Sequence, residues 1–442
     1  MAVTESISES KPIARNATYE RWRVVIFATS WLAYLGFYLT RRSFAAAKVE
    51  LGKPAIGWKP YELSSIDFAF LVTYAIGNFV SGMLGDRFGA RKLLLFGIMA
   101  SIVIAALTGA SNTVLLFLSL YALQGFAQST GWSACSKNLS AFFSQRERGR
   151  VIGWWCTSYA AGGFLGNTLA GYMAERYGWP YAFWAPAGIL LFIWLLILVF
   201  QRNRPEDVGL PSIEQYHAEP EAVVAEDETP AEEREGSWHV IQAVLQNRMV
   251  LLLGLVYFLV KMPRYLFFNW APVYIDAQLG TGTFKSSLLG GLYDIATPFA
   301  VLFGGYVSDK IFRSKRMPLS ILGLIGSAIL MLSFSGLPAT ALGLGLGLFG
   351  IGFLLNIPDS LVSGTAAIDF GTKKGASTAA GFINGMGSVG AIIGGTLPGW
   401  IQKVIGPDRP PWPYTFAVMG VALALAAVLL IPKWNELPPT EK

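Results

Sequence analysis

A chain of 442 residues that is 53% hydrophobic and only 14% charged is too apolar for a water-soluble domain, where roughly 25% charged is usual. Lipid must be its solvent. The net charge of +6 sits in short loops and argues for no nucleic-acid partner, while two cysteines, Cys135 and Cys156, give neither a disulfide framework nor zinc spacing, so no metal or cofactor is expected.

In chain order, Met1 to Thr18 is polar, with no apolar stretch behind a basic start, and is not read as a signal peptide. Apolar runs long enough to cross a hydrocarbon core, about 20 residues each, then begin near Val24, Leu63, Leu93, Thr113, Gly149 and Phe183. The first of these runs on through Arg41, Arg42 and three alanines to Lys48. After the second stands Gly82-Met-Leu-Gly-Asp86-Arg87-Phe-Gly89-Ala-Arg91-Lys92.

Residues 201–247 are rich in Glu, Ala and Pro, cannot bury a core, and read as a linker between halves. The only histidines, His217 and His239, lie there, which leaves no intramembrane histidine as a proton relay. Six further runs begin near Met249, Ser286, Pro318, Ala339, Thr378 and Tyr414. The seventh run carries Lys261 and Arg264, the eighth Asp294, and the tenth Asp359 in Asn356-Ile-Pro358-Asp359. Pro358 should bend that helix; Asp359 could pair with Lys261, meet a substrate hydroxyl, or sit in a wetted pathway.

Lys and Arg cluster in alternate loops (Arg87, Arg91, Lys92; Arg146, Arg148, Arg150; Lys310, Arg313, Lys315, Arg316; Lys373, Lys374), which the positive-inside rule assigns to the cytoplasm together with both termini.

The motif after the second run returns after the eighth as Gly305-Tyr-Val-Ser-Asp309-Lys310-Ile-Phe-Arg313. The aspartates are 309 − 86 = 223 apart and the first glycines 305 − 82 = 223 apart. A repeat of this length with six spans per copy marks a transporter made of two similar bundles. The expected fold is therefore an all-α membrane protein, twelve transmembrane helices in two pseudo-symmetric six-helix bundles, with residues 1–200 and 248–442 as bundles and 201–247 between them. In each motif the glycine would let helices approach, and Asp86, Arg87, Arg91, Asp309 and Lys310 would form a cytoplasmic gate.

The same offset relates the two arginines, since 264 − 41 = 223. An arginine at mid-membrane costs at least ~2.5 kcal/mol on insertion scales and usually has a function. Two guanidiniums facing one cavity repel unless a dianion bridges them, and a phosphoryl group suits both planar forks.

The loop motif resembles the signature of the major facilitator superfamily. Tyr38-Leu-Thr-Arg41-Arg42-Ser-Phe44-Ala, Gly131-Trp132-Ser-Ala-Cys-Ser-Lys137, Arg264-Tyr-Leu-Phe-Phe-Asn269-Trp270-Ala-Pro272 and Thr378-Ala-Ala-Gly-Phe382 resemble the organophosphate:phosphate antiporters within it. That resemblance implies exchange of a phosphorylated metabolite for inorganic phosphate and puts the phosphate-binding arginines on Arg41 and Arg264. It also implies cavity tyrosines at Tyr34, Tyr38 and Tyr74, and a pairing of Arg42 with Asp294.

The chain departs from the family at Asn78 (there a lysine), Ser158 (there a histidine in glycerol-phosphate members) and Asn269 (there an aspartate), and near Asn384 it lacks the hexose-phosphate members' Asp and Lys pair. Uncharged Asn78, Asn269 and Asn384 suit hydroxyls, so phosphorylated polyols or sugars are expected to outcompete carboxylated phosphates unless Lys261 reaches the site. A monomeric carrier in a bacterial inner membrane is expected. A sugar-phosphate sensor with a transporter fold, and a proton-coupled symporter of an organic anion such as a sugar acid, are the alternatives; no arrangement of nucleophile, base and oxyanion donors points to an enzyme.

Overall fold

In the computed structural model of the protein, residues 16–217, 246–313, 315–362 and 376–435 are described. Most of residues 201–247, expected to link the halves, the loop lysines Lys373 and Lys374 and the side chain of Asp86 lie outside that description.

The described chain contains helices and no strand. Helix α1 spans Ala17–Leu51, α2 Pro60–Phe88, α3 Ala90–Gly109, α4 Val114–Phe142, α5 Gln145–Trp155, α6 Thr157–Tyr177 and α7 Tyr181–Phe200. A short α8, Ile213–His217, follows. The second half has α9 Arg248–Leu279, α10 Thr283–Gly290, α11 Leu292–Lys310, α12 Arg316–Ser333, α13 Ala341–Ser360, α14 Ala376–Ile405 and α15 Trp412–Leu430.

The fifth span is α5 and α6, interrupted at Cys156, and the eighth is α10 and α11, interrupted at Gly291. All twelve predicted spans are thus present as helices. The internal repeat is visible in their starts, since α2 begins at 60 and α10 at 283, again 223 apart.

Polar side chains satisfy the orphan amides at several helix starts. Asn16 Oδ1 accepts from Thr18 N–H at 2.9 Å, Asn247 Oδ1 from Met249 N–H at 2.9 Å, and Thr340 Oγ1 from Gly343 N–H at 3.1 Å. Among the described residues, nine spans are long and apolar enough to cross a membrane by length and composition. The other three, α4, α5 with α6, and α14, carry polar and small residues such as Gln124, Gln128, Gly166, Asn167, Gly390 and Gly394, which lower their mean hydropathy. A Cβ at Gly394 would collide with the carbonyl of Met262, so α14 lies directly on α9.

Between the halves, packing runs through α2 with α14, α6 with α10 and α11, and α1 with α9 and α10. These contacts lie at the end of the molecule carrying loop 52–59. There Gly399 N–H donates to Ser64 Oγ at 3.1 Å, Phe284 N–H to Glu175 Oε2 at 2.8 Å, and Asn167 Nδ2 to Ser287 O at 2.8 Å.

At the opposite end, which carries the basic loops, a Cβ on the motif glycines Gly82 or Gly305 would meet nothing within 4 Å. The close approach expected at these glycines is therefore not made in this conformation. Among the described residues, the bundle is sealed at one end and splayed at the end of the basic loops.

Candidate functional site

Helix α1 carries three cations on its inner course, each held differently. Arg41 is 5% exposed; its Nε donates to Gln128 Oε1 at 2.8 Å, and Gln128 Nε2 donates in turn to Thr40 Oγ1 at 3.0 Å, which fixes the amide. Its guanidinium carbon lies 4.4 Å from the Tyr74 ring centroid and 4.8 Å from that of Tyr38. The buried Nη2 has no hydrogen-bond partner among the described residues. A buried charged donor left open is costly, and the rings compensate it in part.

Arg42, one residue on, is saturated instead. It pairs with Asp294 of α11 and donates to the carbonyl of Phe268 in α9, lying 3.7 Å from the Phe268 ring centroid. That carbonyl is free because Pro272, four residues on in the same helix, has no N–H to give it. The resemblance-based pairing of Arg42 with Asp294 is thus present in the structure.

Lys48 pairs with Asp67 of α2 and donates to Asn269 O at 3.0 Å, between the rings of Phe44 and Trp270. These two buried residues are not paired from the sequence; an Asp and a Lys inside two adjacent spans are the available signal.

In the second half, Arg264 Nη1 pairs with Asp359 of α13, and Lys261 Nζ lies 3.1 Å from the same carboxylate's Oδ1. Of the readings open for Asp359, pairing with Lys261 is the one seen, with Arg264 as an unforeseen second partner. Lys261 is the repeat mate of Tyr38, since 261 − 38 = 223, so the two stand in equivalent places beside equivalent arginines. Each arginine is thus held from the fourth helix of its own half, by the neutral amide of Gln128 in one and the carboxylate of Asp359 in the other.

The charges in the middle of the described bundle are five cations (Arg41, Arg42, Lys48, Lys261, Arg264) and three carboxylates (Asp67, Asp294, Asp359). Two positive charges are left over.

Of the remaining sequence candidates, Tyr34 is buried among Tyr38, Trp132 and Trp155. Tyr38 bridges the halves, its ring centroid 6.0 Å from that of Phe268. Asn78 is half-buried one turn after Tyr74, Asn384 is exposed on α14, and the Asn269 side chain packs against Gly395 near the sealed end. None of these three is brought to Arg41 by a described hydrogen bond. Among the described residues, both amide atoms of Gln124 and the Oγ of Ser158 are also buried without a hydrogen-bond partner. Gln124 and Gln128 were not singled out in the sequence, although two glutamines one helical turn apart in a membrane span were the signal.

Among the gate candidates, Asp309 pairs with Arg316 at 2.5 Å, Arg91 Nη2 donates to Leu198 O at 2.7 Å, and Arg87 and Lys310 are exposed. The Arg91 and Asp309 bonds stay within one half.

Against known proteins, the sequence profile described as Major Facilitator Superfamily matches residues 26–368. The chain is 30% identical over 438 residues to the probable hexose phosphate transport protein of Chlamydia trachomatis, covering 96% of this chain and 94% of that one. It is 30% identical over 431 residues to the membrane sensor protein UhpC of Salmonella typhimurium, covering 96% and 95%. The crystal structure of the D-xylose-proton symporter superposes with a TM-score of 0.72 at 16% identity, covering 95% of this chain and 98% of that chain.

Proposed function

The chain belongs to the Major Facilitator Superfamily and, within it, to the organophosphate:phosphate antiporter family, and on that premise we propose that it exchanges a phosphorylated sugar or polyol for inorganic phosphate by alternating access. It is a transporter rather than an enzyme. The observation that carries the exchange reading is the pair of uncompensated positive charges at mid-membrane, with an open donor on buried Arg41. A phosphate dianion matches that surplus, and each guanidinium can offer it two hydrogen bonds.

Residues 1–200 and 248–442 then act as the two rocking units, joined by 201–247. With the basic loops and both termini in the cytoplasm of a bacterium, the splayed end faces inward. Tyr34, Tyr38, Tyr74, Asn78, Asn269 and Asn384 would contribute to the organic portion, Asp86, Arg87, Arg91, Asp309 and Lys310 to the inner gate, in a monomer. An empty carrier keeps its surplus charge in the low-dielectric centre and reorients poorly, which makes exchange obligatory.

Phosphate-loaded proteoliposomes challenged with phosphorylated three-carbon and six-carbon compounds test this. Efflux of phosphate is expected, and it should persist without a pH gradient, because arginine stays charged at physiological pH and no histidine lies in the spans. Strict dependence on an imposed gradient would establish the symporter alternative. Binding without flux would establish the sensor, the reading that the UhpC likeness favours.

Apparent affinity should follow substrate charge. A phosphate ester loses its second proton near pH 6, so below that pH the monoanion leaves one positive charge uncompensated and binding weakens. Between about pH 5 and 7.5 the apparent affinity for a hexose phosphate should rise about tenfold, as the dianion fraction does; a flat profile would remove the dianion from the account.

A further inference from the structure

We infer that Asp359 sets the charge of the site, and with it the class of substrate accepted: by occupying Lys261 and Arg264 together it holds the surplus at two and makes this a dianion site. The inference rests on the exchange reading above.

Three observations combine. Asp359 is 7% exposed and meets both cations, so it acts as a carboxylate already resident beside the substrate's arginine. Lys261 stands where the first half has Tyr38, a residue whose ring lies over Arg41; by the repeat, Lys261 is likewise placed beside its arginine. The other two carboxylates have fixed employment of a different kind, Asp294 on Arg42 and Asp67 on Lys48, and neither contacts Arg41 or Arg264 in a described ion pair.

The consequence is arithmetic. A substrate with a phosphate and a carboxylate would need Lys261, and in this chain Asp359 supplies that carboxylate from the protein. Removing its charge raises the surplus to three, which suits a trianion such as phosphoglycerate. Removing the charges of Asp359 and Lys261 together returns it to two.

The test measures competition between a hexose phosphate and phosphoglycerate for phosphate exchange in proteoliposomes at pH 7.5. The parent should prefer the hexose phosphate. Asp359→Asn should move the preference at least tenfold toward phosphoglycerate, and Lys261→Met/Asp359→Asn should restore the parent's order at whatever absolute rate it retains.

Loss of both substrates in proportion in Asp359→Asn, with no restored order in the double variant, would mean that Asp359 only positions Arg264 and would overturn the inference. So would an unchanged preference. Because the double variant lacks the same carboxylate, a positioning defect cannot mimic the restoration. Absence of any organophosphate exchange by the parent would instead overturn the function proposed above, before the variants are compared.

Discussion

Replacing either Arg41 or Arg264 by lysine is expected to reduce exchange to near background while leaving the protein in the membrane. Lysine keeps the charge, so the surplus of two is unchanged, but it loses the planar fork that gives two parallel hydrogen bonds to one phosphoryl group. A hydrogen bond to a charged group contributes about 1.5–3 kcal/mol, so losing one or two from the bound state predicts a loss on the order of a hundredfold. The two substitutions should differ in their by-products. Lysine at 41 forfeits the Nε bond to Gln128, whereas lysine at 264 can still approach Asp359, so the first should lower thermal stability more. Exchange by either variant at more than about half the parent rate would rule out bidentate recognition.

The second large effect concerns the pair that crosses between the halves. Arg42 is 1% exposed and meets Asp294 and the Phe268 carbonyl, so Asp294→Ala strands a buried guanidinium, at a cost of about 3–5 kcal/mol when one partner of a buried pair is removed. The cost falls on the conformation seen here, because this ion pair joins α1 to α11 across the sealed end; the Lys48–Asp67 and Arg264–Asp359 ion pairs each lie within one half, Lys48 reaching the other only through the Asn269 carbonyl. Asp294→Ala should therefore open the sealed end, raising the reactivity of a cysteine placed at Ser64 toward a water-soluble thiol reagent. Arg42→Met/Asp294→Ala should recover most of the lost stability, since an apolar replacement of a whole buried pair is often neutral. Equal melting temperatures for the single and double variants would show that the pair does not hold the sealed end.

Much of this was legible in the sequence because lipid imposes simple rules. A segment crossing the hydrocarbon core must satisfy its backbone internally, so apolar runs read directly as helices, and all twelve appear. The 223-residue offset pairs Arg41 with Arg264 by spacing alone, and an intramembrane Asp such as Asp294 demands a cation.

What the sequence left open was which cation meets which carboxylate. Among the described residues Asp359 meets both Lys261 and Arg264, Lys48, to which the first run extends, is buried against Asp67, and the carbonyl that Arg42 takes is open because Pro272 withholds an N–H. Hydropathy and repeat spacing are properties of single segments measured along the chain. Partner choice depends on how helices far apart in sequence are rotated and set in depth, and packing alone decides that, so the sequence determined the twelve helices, the repeat and the arginine pair, while the tertiary structure decided the charge balance around them and the end at which the bundle is closed.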